Sequence, residues 1–330
     1  DWHQVLVTER AKYSKQTRGY IKLKLILGEG LVTSEGEHWK RQRRIAQPAF
    51  RRKVIAGFAR TMADAAADTA DRWQVDAARG EPIDVAAEMM RLTLRIAGET
   101  LFSMDLTGEA EELGNALTTV LDAFSPLSMA AIPYPELWPT PTAIRFRRGL
   151  KTLNRVVDGI IADRRASDVV HEDLLGMFMA SEDTETGERM TDKQLRDEVM
   201  TMLLAGHETT ANALSWTFHC LSAHPGVARR VQVEIDDVIG DTMPTVAAMH
   251  TLPYTSQVLQ ESMRLYPPVW MLGRLAMEDD VISGYRIARG TFVYMPLPVM
   301  HRHAAVWDNP EGFDPERFSP ARIAARKALG

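Results

Sequence analysis

The chain of 330 residues contains a single cysteine, Cys220. One cysteine excludes an internal disulfide framework and suits a reducing compartment, which makes the cytoplasm the expected location. Long apolar runs are also missing. No stretch approaches the ~18 consecutive apolar residues of a membrane span, and no signal-peptide pattern opens the chain. Aromatic residues make up 7%, and 44 acids against 39 bases leave a net charge of −5. That balance provides no electrostatic footprint for a nucleic-acid partner. No internal repeat or low-complexity tract is visible. The first residue is Asp1, leading directly into an expected helix over 2–15, so the chain is expected to be cut at that end.

What the sequence has in abundance is helix. The most informative stretch is Ala205-Gly206-His207-Glu208-Thr209-Thr210. It lies midway along a segment that starts at Thr191, where Thr191 and Gln194 have the spacing of a capping box, and stops near His224-Pro225-Gly226. Such a helix is about 45 Å long at 1.5 Å per residue, and its few central charges predict that it crosses the interior. Burying Glu208, Thr209 and Thr210 costs free energy unless each group has a partner or a task. Gly206 weakens a helix by roughly 1 kcal/mol relative to alanine, which predicts a close approach to its backbone.

Further helices are expected over 62–78, 85–101, 142–165, 173–181, 227–239 and 252–266. The proline-rich segment 125–141 reads as a surface loop. Strand character is confined to a small hairpin region at about 281–294, around Gly284 and Gly290. A meander rich in Asp, Asn, Pro and aromatics follows at about 301–318. The fold class is mainly α with a small β portion.

Two further constellations carry chemistry. Trp39 and Arg43 are four residues apart on a basic helix, so an indole N–H and a guanidinium can bind one anion. The neighbouring Lys40, Arg41 and Arg44 suit steering of an acidic partner protein. Glu261 and Arg264 are spaced i,i+3 just before Pro267-Pro268. If Arg317 packs onto them, the three form a partly buried charge cluster. His207-Glu208 lacks the second histidine of a zinc-protease helix, because position 211 is Ala211. His301 and His303 have no third ligand. Cys220 reads as a small buried apolar side chain.

Taken together and in order, Trp39-xxx-Arg43, Ala205-Gly206-x-Glu208-Thr209, Glu261-xx-Arg264 and Pro315-Glu316-Arg317-Phe318 resemble the motifs of the cytochrome P-450 family of haem-thiolate monooxygenases. The resemblance implies one partial cytochrome P-450 domain over 1–330, helix-rich throughout. It implies haem b as cofactor, with propionates held by Trp39, Arg43 and Arg274, and Gly206 leaving room for the flat macrocycle. Thr209 and Glu208 would be the catalytic pair that handles oxygen and protons, and Glu261, Arg264 and Arg317 the structural cluster. The implied partners are O2, a lipophilic small molecule, and a ferredoxin or flavoprotein electron donor. Ile21, Leu23, Leu25, Ile26, Phe124, Met129, Ile132, Trp270 and Met271 are the expected apolar pocket residues.

The family's axial cysteine follows the Pro-Glu-Arg-Phe segment in a glycine- and arginine-containing loop. Here Phe318 leads to Ser319–Gly330 without a cysteine. No metal ligand is therefore assigned, and the chain is expected to be a fragment lacking that loop and the family's N-terminal helix and strands. The other expectation is a non-catalytic haem or small-ligand binder, or a helical interaction protein, derived from the family.

Overall fold

A computed structural model describes residues 1–103, 109–129, 135–167, 169 and 173–328. These divide into two compact units, each drawing on three stretches of chain. The first comprises Asp1–Val54, Ala97–Ala205 and Gly273–Tyr294, and the second Ile55–Ile96, Gly206–Leu272 and Met295–Gly330.

In the first unit the helices Glu109–Met129 and Pro141–Ala166 supply much of the core. Leu113, Leu117 and Val120 of one, and Phe146, Leu153 and Val157 of the other, are buried. The helices approach closely because residue 149 is glycine, where a Cβ would fall 2.9 Å from Val120 Cγ2 and 3.2 Å from the Ala116 carbonyl. Glu109–Met129 continues through Ser125 and Pro126, which the proline pattern assigns to a loop. Pro126 gives up one helical amide bond near the helix end, but its ring faces outward, and Ala123 and Leu127 keep the buried face continuous. Pro141 likewise opens the next helix, one residue after the capping Thr140.

The N-terminus also differs from expectation. In place of one helix, Gln4–Thr8 is a π-helical turn, Arg10–Lys12 a 3-10 turn, and Tyr13–Ser14 a short strand, β1. β1 pairs antiparallel with β2 (Met271–Ala276), Tyr13 opposite Ala276 and Ser14 opposite Leu275. This pairing with a strand about 260 residues away overrides the local helical pattern. β3 (Asp280–Ile282) and β4 (Tyr285–Ile287) form the small hairpin, and β5 (Phe292–Pro296) completes a sheet in the order β1-β2-β5.

In the second unit Ala65, Met89, Leu92 and Ala211 form a buried cluster against Trp73, Ile96 and Leu214. The helix Pro253–Leu265 has no side-chain cap of its own. Instead Glu234, from the helix Pro225–Val238, accepts the Tyr254 and Thr255 amides at 2.7 and 2.8 Å. A carboxylate at those orphan donors is the favourable end of the helix dipole. The long helix spans Asp192–Ala223, and its capping box is formed: the Thr191 amide donates to Gln194 Oε1 at 2.9 Å, and the Gln194 amide to Thr191 Oγ1 at 3.3 Å. Among the described residues, no helix is long and apolar enough to cross a membrane.

Candidate active site

The helix Gly36–Ala46 carries the basic run. The guanidinium of Arg43 sits 5.2 Å from the centre of the Trp39 ring, one turn back on the same face. Glu35, just ahead of the helix, accepts from the Lys15 amide and from Ser14 Oγ at 2.7 Å, tying the end of β1 to the helix start. Lys15 Nζ donates to the carbonyls of Val32 at 3.0 Å and Ser34 at 3.1 Å, and lies 6.0 Å from the Trp39 ring centre. The β1–β2 register, continued one step, brings Lys15 toward Arg274. Burial lowers the Lys15 pKa, the charge of Arg274 lowers it further, and Glu35 opposes both. Arg274 itself donates to the Gly273 carbonyl at 2.8 Å.

The rest of the basic run is neutralised within the chain. Lys40 pairs with Glu37 at 2.7 Å and Arg41 with Glu188 at 3.1 Å. Arg44 grips Asp183 at 2.9 and 3.1 Å and reaches Glu185 at 3.0 Å. The Arg44 hydrogen bonds hold the Asp183 carboxyl down at about 2. The acidic turn around 182–188 therefore occupies the charges that the sequence offers for steering a partner. Among the described residues, Arg43, Arg274 and Lys15 have no carboxylate ion pair. Arg43 and half-buried Lys15 at the Trp39 ring, with Arg274 close enough to act on Lys15, form a donor set suited to a dianionic group.

On the long helix, the expectation of a buried centre holds for only part of the circumference. Leu203, His207 and Ala211 are buried, whereas Ala205, Gly206 and Thr210 are exposed. A Cβ added at Gly206 would meet no heavy atom within 4 Å. Gly206 is thus needed for openness and not for a tight contact with another part of this chain. His207 is anchored away from this strip, its Nε2 3.1 Å from the Met90 carbonyl. Glu208 and Thr209 are half-buried beside the strip, and burial raises the Glu208 pKa so that it retains a proton more readily than a free carboxyl. The helix thus presents an exposed strip of small residues flanked by a half-buried acid and a half-buried hydroxyl.

In the second unit Glu261, Arg264 and Arg317 come together, all almost fully buried. Arg264 donates from Nε to Glu261 Oε2 at 2.7 Å and from Nη2 to Oε1 at 2.8 Å. Its remaining protons reach the carbonyls of His301 at 2.8 Å, Pro310 at 2.7 Å and Gly312 at 3.0 Å. Arg317 adds Nε to Glu261 Oε1 at 3.1 Å and Nη2 to the Asn309 carbonyl at 2.6 Å. The Asp314 amide also donates to Glu261, at 2.8 Å. One ion-pair cluster thus ties the helix Pro253–Leu265 to the meander.

His301 is part of this structure, with Nδ1 3.0 Å from the Arg264 carbonyl, and among the described residues no group of His, Cys, Asp and Glu could hold a metal ion. Cys220 is buried on the long helix, where burial pushes its thiol pKa up. Of the expected pocket residues, Ile21, Leu25, Trp270 and Met271 are exposed and Ile26 is buried, while Ile132 lies outside the described residues. Sequence reasoning missed Lys15 and Asp183. Neither stands in a motif: Asp183 reaches Arg44 across 139 residues, and Lys15 is carried toward Arg274 by the pairing of β1 with β2.

Residues 1–329 match the family model described as cytochrome P450. The cyclooctat-9-en-7-ol 5-monooxygenase of Streptomyces melanosporofaciens is 36% identical over 298 residues, covering 90% of this chain and 64% of that protein. The pentalenene oxygenase of Streptomyces avermitilis is 34% identical over 328 residues, covering 98% of this chain and 70% of that protein. Among solved structures, the haem domain of cytochrome P450DA superposes with a TM-score of 0.83 at 28% identity, covering 98% of this chain and 72% of that one. The chain therefore spans about two thirds of the length of these relatives.

Proposed function

The chain belongs to the cytochrome P-450 family, and from that premise we propose that it is the greater part of a haem-dependent monooxygenase acting on an apolar organic substrate. The single observation that carries this reading is the group of cations around Trp39 that has no carboxylate of its own. In the proposal, Trp39 Nε1, Arg43 and Arg274 donate to the two haem propionates, and Lys15 adds positive charge behind them. On the long helix, the exposed Ala205 and Gly206 offer a flat ligand a surface without bulky side chains. Haem, when bound, supplies the activation of O2 and the oxidation of a C–H bond.

The chain's own residues manage protons and water. Glu208, whose proton burial makes harder to lose, and Thr209, the hydroxyl beside it on the long helix, are the pair that would hold and move protons at the exposed strip. Cys220 is assigned no part, being buried on the long helix with a raised pKa. Among these 330 residues no other cysteine exists to act as axial thiolate. The proposed activity is that of a polypeptide holding these residues together with such a ligand. The relatives' names include an unsaturated alcohol and an alkene, cyclooctat-9-en-7-ol and pentalenene. We assign the same substrate class here, a lipophilic unsaturated hydrocarbon or its alcohol. The electron donor is proposed to be a ferredoxin or flavoprotein and the location the cytoplasm.

The test is incubation of haem-loaded protein with such a hydrocarbon, an electron donor and isotopically labelled O2. Label in one new hydroxyl per product supports the proposal; product without label, or none with haem bound and reduced, overturns it.

A further inference from the structure

The loop 28–34 joins the helix Arg18–Leu27 to the helix that carries Trp39 and Arg43. Two adjacent acids at the start of the long helix hold it. Asp197, 6% exposed, accepts the Glu29 amide at 3.0 Å and pairs with Lys193 at 2.8 Å. Glu198, 1% exposed, accepts the Leu31 amide at 3.1 Å through Oε2. The fit between loop and helix is close. A Cβ at Gly28 would overlap the Asp197 carboxylate, and one at Gly30 would overlap Thr201 Oγ1 and come within 2.7 Å of the Asp197 carbonyl. On its other side the loop is held by Lys15, through the carbonyls of Val32 and Ser34. The same lysine stands beside Trp39 and feels the charge of Arg274. The loop is therefore clamped between an acidic pair and the cation group.

One jaw of this clamp is costly when charged. Glu198 Oε1 is buried without a hydrogen-bond partner, and a buried carboxylate needs donors on both oxygens. The charges facing Glu198 do not compensate it. On its own helix stands Asp197, already neutralised by Lys193. From the loop comes Glu29, engaged by Lys24 at 2.9 Å. Among the described residues Glu198 has no ion pair. Burial raises its pKa to about 7, with the Leu31 amide opposing and the Asp197 charge adding.

We propose that Glu198 is a proton-operated latch on the loop 28–34 and, through that loop, a positioning residue for the cations around Trp39. The latch stands on its own geometry; its consequence for haem rests on the function proposed above. The protonated, neutral carboxyl buries no charge and costs less in the clamp than the anion does. Loss of its proton to solvent leaves a buried anion beside Asp197, and release of the loop lets water reach it. The sign follows from linkage. The docked group's pKa of about 7 exceeds the ordinary value of 4.5, so docking is strongest at or below about pH 4.5. Docking weakens as pH rises to about 7, and the contribution is gone above that.

Amide hydrogen exchange at Leu31 in the full chain reads this directly. After correction for the intrinsic pH dependence of exchange, wild-type protection is expected to fall about tenfold per pH unit between about pH 5 and 7, then level off. Glu198→Gln, near in size and still an acceptor, is expected to show protection independent of pH. Protection that is flat in the wild type, or that falls equally in Glu198→Gln, overturns the latch. Amides of the helix Pro141–Ala166 serve as the internal standard, and a parallel fall there means global unfolding and also overturns it. For the positioning role, wild-type haem affinity measured by the Soret band should drop between about pH 5 and 7 and then level off, while that of Glu198→Gln stays constant; equal pH dependence contradicts it. Failure of both proteins to bind haem at any pH would defeat the proposed function and leave the exchange result standing.

Discussion

Arg264 and Arg43 are both arginines next to a tryptophan ring, each about 5.2 Å from its centre, yet they sit in opposite electrostatic circumstances. Arg264 is buried, spends two donors on Glu261, and gives the rest to three carbonyls of the meander. Arg43 is exposed and has no carboxylate, although every other base of its run has one. A fully satisfied buried arginine is a structural part, and nothing else can bind it. One without a carboxylate, near Lys15, keeps its donors for a ligand, and that is the role proposed for it. The same residue type thus serves the fold in one unit and, in the proposed function, the ligand in the other.

The comparison breaks most visibly if the structural arginine is removed. Arg264→Ala leaves Glu261 buried with half its partners and is expected to cost about 3–5 kcal/mol, read by urea unfolding. A loss under about 1 kcal/mol would mean that the cluster is not what joins helix and meander. Next comes Arg43→Ala. Its stability should stay within about 0.5 kcal/mol of wild type because the side chain is exposed. Its haem affinity should fall roughly tenfold to a hundredfold, the worth of a charge-assisted hydrogen bond of about 1.5–3 kcal/mol. Isothermal unfolding and Soret titration on the same sample separate the two effects.

Thr209→Ala sharpens the contrast from the other direction. It should leave haem affinity and stability near wild type while product per electron falls several-fold and peroxide rises. Unchanged coupling would remove Thr209 from the proton path.

The smallest effect belongs to the neutralised part of the basic run. Arg44 holds the Asp183 carboxyl at about 2, against 3.8 ordinarily. A depressed carboxylate contributes stability that is fully present above about pH 4 and is lost as pH falls through about 2. The stability gap between wild type and Arg44→Ala should therefore be constant from pH 7 to about 4 and close below that. A gap that widens on acidification would contradict the pairing.

Much of this contrast is legible in the sequence because its parts are local. The i,i+3 pair Glu261 and Arg264 and the i,i+4 pair Trp39 and Arg43 are written in helical spacing, and the Thr191–Gln194 cap in a four-residue pattern. The partner of Glu261 at Arg317 is legible only as part of an ordered set of motifs, since 56 residues separate them. What sequence cannot reveal is which cations are already paired. Arg44 and Arg43 are neighbours of identical type, and only the acidic turn, more than 130 residues on, distinguishes them. Lys15 escapes for a related reason: local pattern favours helix there, while the pairing of Tyr13 and Ser14 with β2 sets the next residue, Lys15, in a bend. Pro126 shows the opposite error, a helix breaker tolerated because the apolar face on either side of it is already committed to the core.

The most direct measurement is a cycle of haem affinities using haem and its dimethyl ester, in which the propionate charges are removed. Each ligand is titrated into wild type and into Arg43→Ala/Arg274→Ala. If the unpaired cations hold the propionates, esterification should weaken binding to the wild type by about a hundredfold and to the double variant by no more than a few-fold. An equal loss in both proteins would show that these cations do not read the propionates, and the proposed division between structural and ligand-binding arginines would fail.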